Sequence, residues 1–186
     1  MAEASRRFTT AGCQPGQPLP TLSLVDLEGV PVDFAAHTKG RALVLATCSL
    51  TCNVARRQQA AITQLRQELG DRAWVVLVYT VDAHPDGDAC PYTGEPWVPP
   101  ANADDGVLVR QPATLPERLA LARRYAHDWA AGVTVFVDTM DDASWQALGQ
   151  APNLGLCVDR AGSVVARTGW FDANELRAAV DRMPAR

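Results

Sequence analysis

The sequence contains no lysine- or arginine-rich run, no internal repeat and no apolar stretch longer than a strand. Each absence removes a class of function. Clustered basic residues hold phosphate backbones, and a chain of net charge −4 without such a cluster offers nucleic acid no surface. A membrane helix requires roughly 18 or more consecutive apolar residues, whereas the apolar run at residues 74–78 is only strand-sized. The opening M-A-E-A-S-R-R-F-T-T-A-G-C has charges but lacks the apolar core that follows them in a signal peptide. The expectation is a cytoplasmic protein with neither nucleic acid nor membrane as partner. No second C-x-x-C and no closely spaced histidine pair complete a four-ligand set, so neither a metal nor another cofactor is expected.

What the chain does have is enough apolar residue, 47% of 186, to bury one sizeable core. Residues 1–18 read as a flexible N-terminal arm and residues 19–186 as a single domain. The five cysteines are odd in number and form no disulfide framework, and paired thiols in a reducing compartment are more often catalytic or metal-binding. The pair that matters lies in L-V-L-A-T-C-S-L-T-C, residues 43–52, where an apolar strand delivers Cys48 and Cys52 ahead of a long amphipathic segment. Val54, Gln58, Ala61, Ile62, Leu65 and Leu69 recur at the period of one helix face, which predicts a helix over 53–69 with Cys52 at its first turn. Unpaired backbone N–H groups and the macrodipole favour a thiolate there, and Arg56 and Arg57 bring positive charge within about a turn. The expectation is an easily ionised Cys52; the alternative is that both cysteines are small buried hydrophobes. Cys157, in L-G-L-C-V, reads as a core residue, and Cys13, in a Gly/Pro/Gln-rich lead-in, as a residue without a role.

The rest of the chain supplies a frame for that pair. T-L-S-L-V-D-L-E-G-V-P-V-D-F predicts two short strands around a turn at Glu28 and Gly29. A strand at 42–47, the helix at 53–69 and a buried strand at 74–80 make a βαβ unit, whose continuous apolar strands suit a parallel sheet covered on both faces. Residues 82–113 are rich in Asp, Gly, Pro and Asn without sustained periodicity, and a loop this long in a compact domain is usually functional. Thr114-Leu115-Pro116-Glu117 reads as a capping box opening a helix, and V-T-V-F-V-D as a third central strand. A short helix near 143–148, a hairpin turning at 160–162 and a last helix capped by Asp172 with Glu175 complete the reading.

This order resembles the thioredoxin-like redoxins, an α/β fold, here with an N-terminal β-hairpin and a long loop inserted after the second core strand. In that fold the reactive cysteine follows the first core strand and opens the first helix, where Cys52 stands. A proline before the closing hairpin, commonly cis, faces the thiol, and the resemblance assigns that place to Pro152. Three segments are similar to the iodothyronine deiodinase family. Around S-L-T-C-N-V the family has Ser-Cys-Thr-selenocysteine-Pro-Pro, so Cys52 takes the place of the selenocysteine and Leu50 that of the nearby cysteine. L-V-Y-T-V-D-A-H-P-D-G is similar to a strand ending in Glu-Glu-Ala-His, which puts Asp82 and His84 on the acidic and histidine positions. V-F-V-D-T-M-D-D-A-S-W-Q-A-L and R-T-G-W-F-D-A-N-E-L-R are similar to the family's C-terminal half, and A-C-P-Y-T-G-E-P-W-V-P-P-A-N to bacterial members. The chain departs from the pattern in its sulfur chalcogen, in Asn53-Val54 for Pro-Pro, in Val81 for the first Glu, and in the displaced cysteine Cys48.

The resemblance implies a thiol-dependent oxidoreductase in which the Cys52 thiolate attacks an oxidised or halogenated small molecule or a disulfide. His84, titrating near neutral pH, is expected to donate a proton, with Asp82 holding its ring. A second thiol resolves the product, and Cys48 is favoured over Cys90 for that step. Thr51 and Asn53, which flank Cys52, together with Pro152 and Arg56 are the expected substrate contacts. The implied partners are a reducing thiol or thioredoxin-type reductant and, as the family commonly dimerises, a second copy of the chain. Two rival readings stand beside this one. A peroxiredoxin-like peroxidase is suggested by Ser49, three residues before Cys52, though Leu45 occupies the place of the expected proline. A copper-delivery redoxin of the cytochrome oxidase assembly type would bind through Cys48, Cys52 and a distant histidine.

Overall fold

Alternation along the central strands sorts side chains onto two sheet faces, and each face gathers its own helices. In the computed structural model, which describes residues 2–130 and 132–184, chain order begins with α1 (Ala2–Thr10), β1 (Leu24–Val25), β2 (Pro31–Val32) and α2 (Phe34–Thr38). Met1, Ala131 and the last two residues of the 19–186 span lie outside the described residues. There follow β3 (Ala42–Cys48), α3 (Asn53–Arg57), α4 (Gln59–Leu69), β4 (Ala73–Tyr79), α5 (Pro100–Asp104) and α6 (Leu115–Asp128). The chain closes with β5 (Thr134–Asp138), α7 (Ala143–Ala147), β6 (Gly155–Val158), β7 (Val164–Thr168) and α8 (Ala173–Asp181). The sheet has seven strands in the order β2-β1-β5-β4-β3-β6-β7. β3, β4 and β5 pair in parallel, and the remaining pairings are antiparallel.

Val44, Ala46 and Cys48 of β3 and Val75, Leu77 and Tyr79 of β4 join a core with Ile62, Leu65 and Leu69 of α4, Tyr125 of α6 and Leu176 of α8. Leu43, Leu45, Val76 and Val78 take the other face, with Phe8, Leu22, Phe34 and Leu148. Each fully buried large apolar side chain contributes roughly 1.5–3 kcal/mol, so two covered faces, not strand propensity, hold β3 and β4 at the centre. The helix expected at 53–69 forms as α3 and α4 joined through Gln58, which keeps αR geometry. The capping box at Thr114 and Glu117 is made in both directions, and the Asp172 carboxylate accepts from the Asn174 and Glu175 N–H groups. No helix among the described residues is long and apolar enough to cross a membrane.

Two segments differ from the sequence expectation. Where a mobile arm was expected, α1 forms and docks, with Phe8 buried. Arg167 of β7 donates to the Phe8 carbonyl at 2.9 Å and the Leu148 carbonyl at 3.1 Å, tying the end of α1 to the chain beyond α7. The two backbones approach so closely that a Cβ on Gly12 or Gly149 would collide with the other segment, and both glycines have positive φ. The second difference is α5, a single short helix within the long connection between β4 and α6. That connection is pinned at its base, where the Asp82 N–H donates to the Gln111 side chain and the Asp86 N–H to the Val109 carbonyl.

Candidate active site

Cys52 stands at the N-cap of α3, just past the carboxyl end of β3, and its Sγ accepts from the Ala55 N–H at 3.4 Å. The segment between β3 and α3 is locked from two sides. From just past β4, the Asp82 carboxylate accepts from the Thr51 N–H (3.0 Å), the Thr51 hydroxyl (3.0 Å) and the Tyr79 hydroxyl (2.9 Å). The Tyr79 oxygen in turn accepts from the Leu50 N–H. On the other side, the Arg56 guanidinium donates to the Leu50 carbonyl, to Asn102 Oδ1 and to the Asp105 carboxylate, while Asn102 Nδ2 donates to the Thr51 carbonyl. Residues 50 and 51 are thereby left with no unsatisfied backbone donor, as burial requires.

Beside Cys52 opens a cleft of about 100 Å³ lined by Asn53, Val54, His84, Cys90, Pro152 and four aromatic rings, Phe8, Tyr92, Trp97 and Trp170. The rings brace one another. Phe8 lies edge-to-face on both Tyr92 and Trp170 at 5.5 Å, and Trp97 meets the His84 ring edge-on at 4.3 Å. Pro152 is held at the rim because the Thr47 hydroxyl donates to the Ala151 carbonyl and accepts from the Leu154 N–H. Larger hollows exist, one of about 420 Å³ beside α2 and the β6–β7 turn, but its lining has no cysteine or histidine. The chemistry therefore singles out the smaller cleft.

Of the residues expected at a site, Cys52, His84, Asn53 and Pro152 meet in this cleft, and Cys90 joins them. Several expectations change. No peptide bond among the described residues is cis, so Pro152 faces the cleft as a trans proline. Asp82 does not hold the His84 ring; its oxygens are occupied by Thr51 and Tyr79. Thr51 is no substrate contact, since its hydroxyl is fully buried between Asp82 and the His84 N–H. Arg56 is 4% exposed, clamps the loop instead of lining the cleft, and lies over the Trp129 ring, while Arg57 is exposed. Cys48 has the parity of Val44 and Ala46 and sits in the helix-side core, with Tyr125 and Cys52, and does not line the cleft. Phe8, Tyr92, Trp97 and Trp170 escaped the sequence reading. The aromatics inside the Pro/Gly-rich 89–102 stretch were the signal for two of them.

The electrostatics also reverse an expectation. Burial pushes the Cys52 thiol up to about 11, outweighing the Ala55 and Val54 N–H groups and the Arg56 charge, which pull it down. Resting Cys52 is thus a protonated thiol. Burial, with the nearby Arg56 charge, lowers His84 to about 4, so its ring is neutral at pH 7 and accepts a proton rather than carrying one to spare. Burial raises the Cys48 thiol well above its ordinary value.

For the rival readings, the Ser49 hydroxyl accepts from the Ala83 N–H at 3.2 Å, bracing the chain beyond β4, and among the described residues no group of three or more His, Cys, Asp or Glu side chains is placed to hold a metal ion.

Several solved structures similar to the chain are disulfide or thiol-disulfide oxidoreductases by title. The thioredoxin domain of one from Bacteroides vulgatus has a TM-score of 0.62 at 12% identity, over 92% of this chain and 98% of that one. Another, from Bacteroides fragilis, has a TM-score of 0.57 at 13% identity, over 87% and 98%. A secreted disulfide oxidoreductase of Mycobacterium tuberculosis has a TM-score of 0.53 at 12% identity, over 96% and 98%. At such identities the likeness establishes the fold, a mixed α/β thioredoxin-like one. No curated protein matches the chain. The family model for iodothyronine deiodinase matches residues 5–183, from the first helix through the last, and the chain therefore belongs to the iodothyronine deiodinase family.

Proposed function

We propose that the protein is a thiol oxidoreductase in which the Cys52 sulfur attacks an oxidised or halogenated small molecule or a small disulfide. The observation that carries this reading is a loop-locked thiol at a helix N-cap, opening into an aromatic-walled cleft that also holds a neutral histidine. With a disulfide RSSR, the Cys52 sulfur bonds to one sulfur, the RS–SR bond breaks, and RS⁻ leaves. The thiol proton passes to His84 as the new bond forms and from there to the leaving thiolate. Low-dielectric walls hold Cys52 protonated at rest and protect it from adventitious oxidants, so the reaction waits for a substrate that fits between the rings. Asn53 and Pro152 are the polar and apolar contacts at the nucleophile's edge; a thiol or thioredoxin-type reductant returns the oxidised enzyme to its starting state.

The test is to incubate reduced protein with an iodothyronine, hydrogen peroxide and a small disulfide, and to follow the Cys52 thiol by peptide mass against Cys52→Ser. At least one oxidant modifies Cys52 in the wild type, and the matching turnover disappears in the variant. A Cys52 that stays free with all three removes the reading.

A further inference from the structure

We propose that Cys90, with His84 as its base, is the second catalytic thiol, and that turnover closes a Cys52–Cys90 disulfide. This rests on the reading of Cys52 as nucleophile. The two cysteines come from opposite ends of the site, one from the α3 N-cap and one from the long β4–α6 connection, and both line the same small cleft. Cys90 Sγ lies 3.9 Å from His84 Nδ1. Such contacts are commonly long before substrate binds and tighten during reaction.

The main chain around Cys90 is fixed. Its N–H donates to the Glu95 carbonyl at 3.1 Å, and its carbonyl accepts from the Thr93 and Gly94 N–H groups at 3.2 and 2.8 Å. Gly94, at φ 76°, supplies the left-handed residue that closes this turn. Proline follows Cys90, and Tyr92, within the turn, packs on Phe8 and accepts from the Trp145 indole N–H, so the turn is fastened to the wall of the cleft. Cys48 packs in the same core as Cys52 and lies near enough to feel its charge, but of the two only Cys52 borders the cleft, and Cys90 borders it with Cys52. A substrate-derived group on Cys52 occupies the space that Cys90 borders.

The chemistry balances with a small disulfide as oxidant. After the first exchange, Cys52 carries S–R. The Cys90 thiol gives its proton to His84 Nδ1 as its sulfur attacks the Cys52 sulfur; the Cys52–SR bond breaks, the Cys52–Cys90 bond forms, and the second RS⁻ takes the proton from the imidazolium. Two thiols are oxidised to one disulfide, and RSSR is reduced to two RSH. A neutral imidazole is required for this step. Its low pKa of about 4 makes it a weak base alone, but the imidazolium forms beside the developing sulfur charge, and in a low-dielectric cleft the two charges stabilise each other.

The experiment uses reduced full-length protein and dithiodipyridine, a small aromatic disulfide whose released pyridinethione is read by absorbance. Wild type is expected to release two equivalents from this site, and peptide mapping to recover a Cys52–Cys90 disulfide. Cys90→Ser and Cys90→Ala should release one and keep the pyridyl group on Cys52; Cys48→Ser should behave as wild type. His84→Gln should slow both releases at least tenfold, because each passes its proton through this ring. Recovery of Cys48–Cys52 from the wild type, or an undiminished second release in Cys90→Ser, overturns the inference and leaves Cys52 as nucleophile. A wild type whose Cys52 takes up no pyridyl group overturns both. Because the wild-type map alone identifies the partner of Cys52, the result does not depend on how well any variant folds.

Discussion

Raising the pH should uncover the Cys52 nucleophile far later than in an ordinary redox-active thiol. The structure places its ionisation at about 11, with burial the largest cause. A free cysteine near 8.5 is about 3% thiolate at pH 7; at 11 the fraction is about one in ten thousand, roughly 300-fold less. The more basic thiolate is intrinsically more nucleophilic, and a Brønsted slope near 0.4–0.5 over about 2.5 units returns roughly tenfold. The net expectation at pH 7 is alkylation roughly 30-fold slower than a free cysteine, before any hindrance from the rings. It should rise about tenfold per pH unit up to about pH 10. The assay is iodoacetamide labelling of the Cys52 peptide, quantified by mass, with circular dichroism at each pH to verify that the fold persists. That control matters because burial also raises Tyr79, Tyr92, Tyr125 and Cys48. Groups whose folded pKa is raised contribute stability that is complete below the unfolded value and is lost as pH climbs toward the folded one. For Cys52 that window opens near 9 and closes near 11. A labelling rate that levels off below pH 8 would refute the argument, because it would mean that the N-cap amides and Arg56 outweigh burial.

Three substitutions probe the scaffold around that thiol. Asp82→Ala strands the fully buried Thr51 N–H and at least one hydroxyl. At about 1–3 kcal/mol per orphaned group it should lose roughly 2–6 kcal/mol in urea unfolding, and a loss under about 1 kcal/mol would mean that the network relaxes freely. In Arg56→Met the Leu50 carbonyl and Asn102 Oδ1 lose their donor, but Asp105, with its side chain 47% exposed, returns to water. The loss should be that of two orphaned acceptors, about 2–6 kcal/mol, with no stranded buried charge added. The Cys52 labelling curve should also move to higher pH, and movement the other way would discard the charge argument. Phe8→Ala removes a buried ring that touches Tyr92 and Trp170, a type of change that costs about 3–5 kcal/mol in a core. Because α1 is peripheral, the effect should appear as faster amide exchange in α1 and faster Cys52 labelling, with an unchanged labelling rate as the contrary result.

What could be read from the chain was whatever depends on neighbours in sequence. β3 and β4 announce themselves as unbroken apolar runs because both faces are covered, and Thr114 with Glu117 makes its cap within one turn. Cys52 could be found because strand end and helix start adjoin it. α1 could not, since A-E-A-S-R-R-F-T-T carries one large apolar residue and is held by Arg167, more than a hundred residues away. The cleft was hidden for the same reason: its rings come from α1, from the β4–α6 connection and from the segment after β7. The sign of the Cys52 shift was equally out of reach, because the helix terminus is local and the burial that overrides it is not.

Cys48 is the instructive case, because its orientation was available in the sequence and was obscured by spacing. A C-x-x-x-C run invites a pairing of its two sulfurs, yet Cys48 is still in β3, where alternation binds it to the face of Val44 and Ala46. Cys52 lies past the strand, where the chain turns into α3 and that alternation no longer applies. Cys52 packs into that same core but also borders the cleft, which Cys48 does not; access to the cleft therefore outranks the four-residue interval, and a search for Cys52's partner should begin with the residues that border it, where Cys90 and His84 already meet.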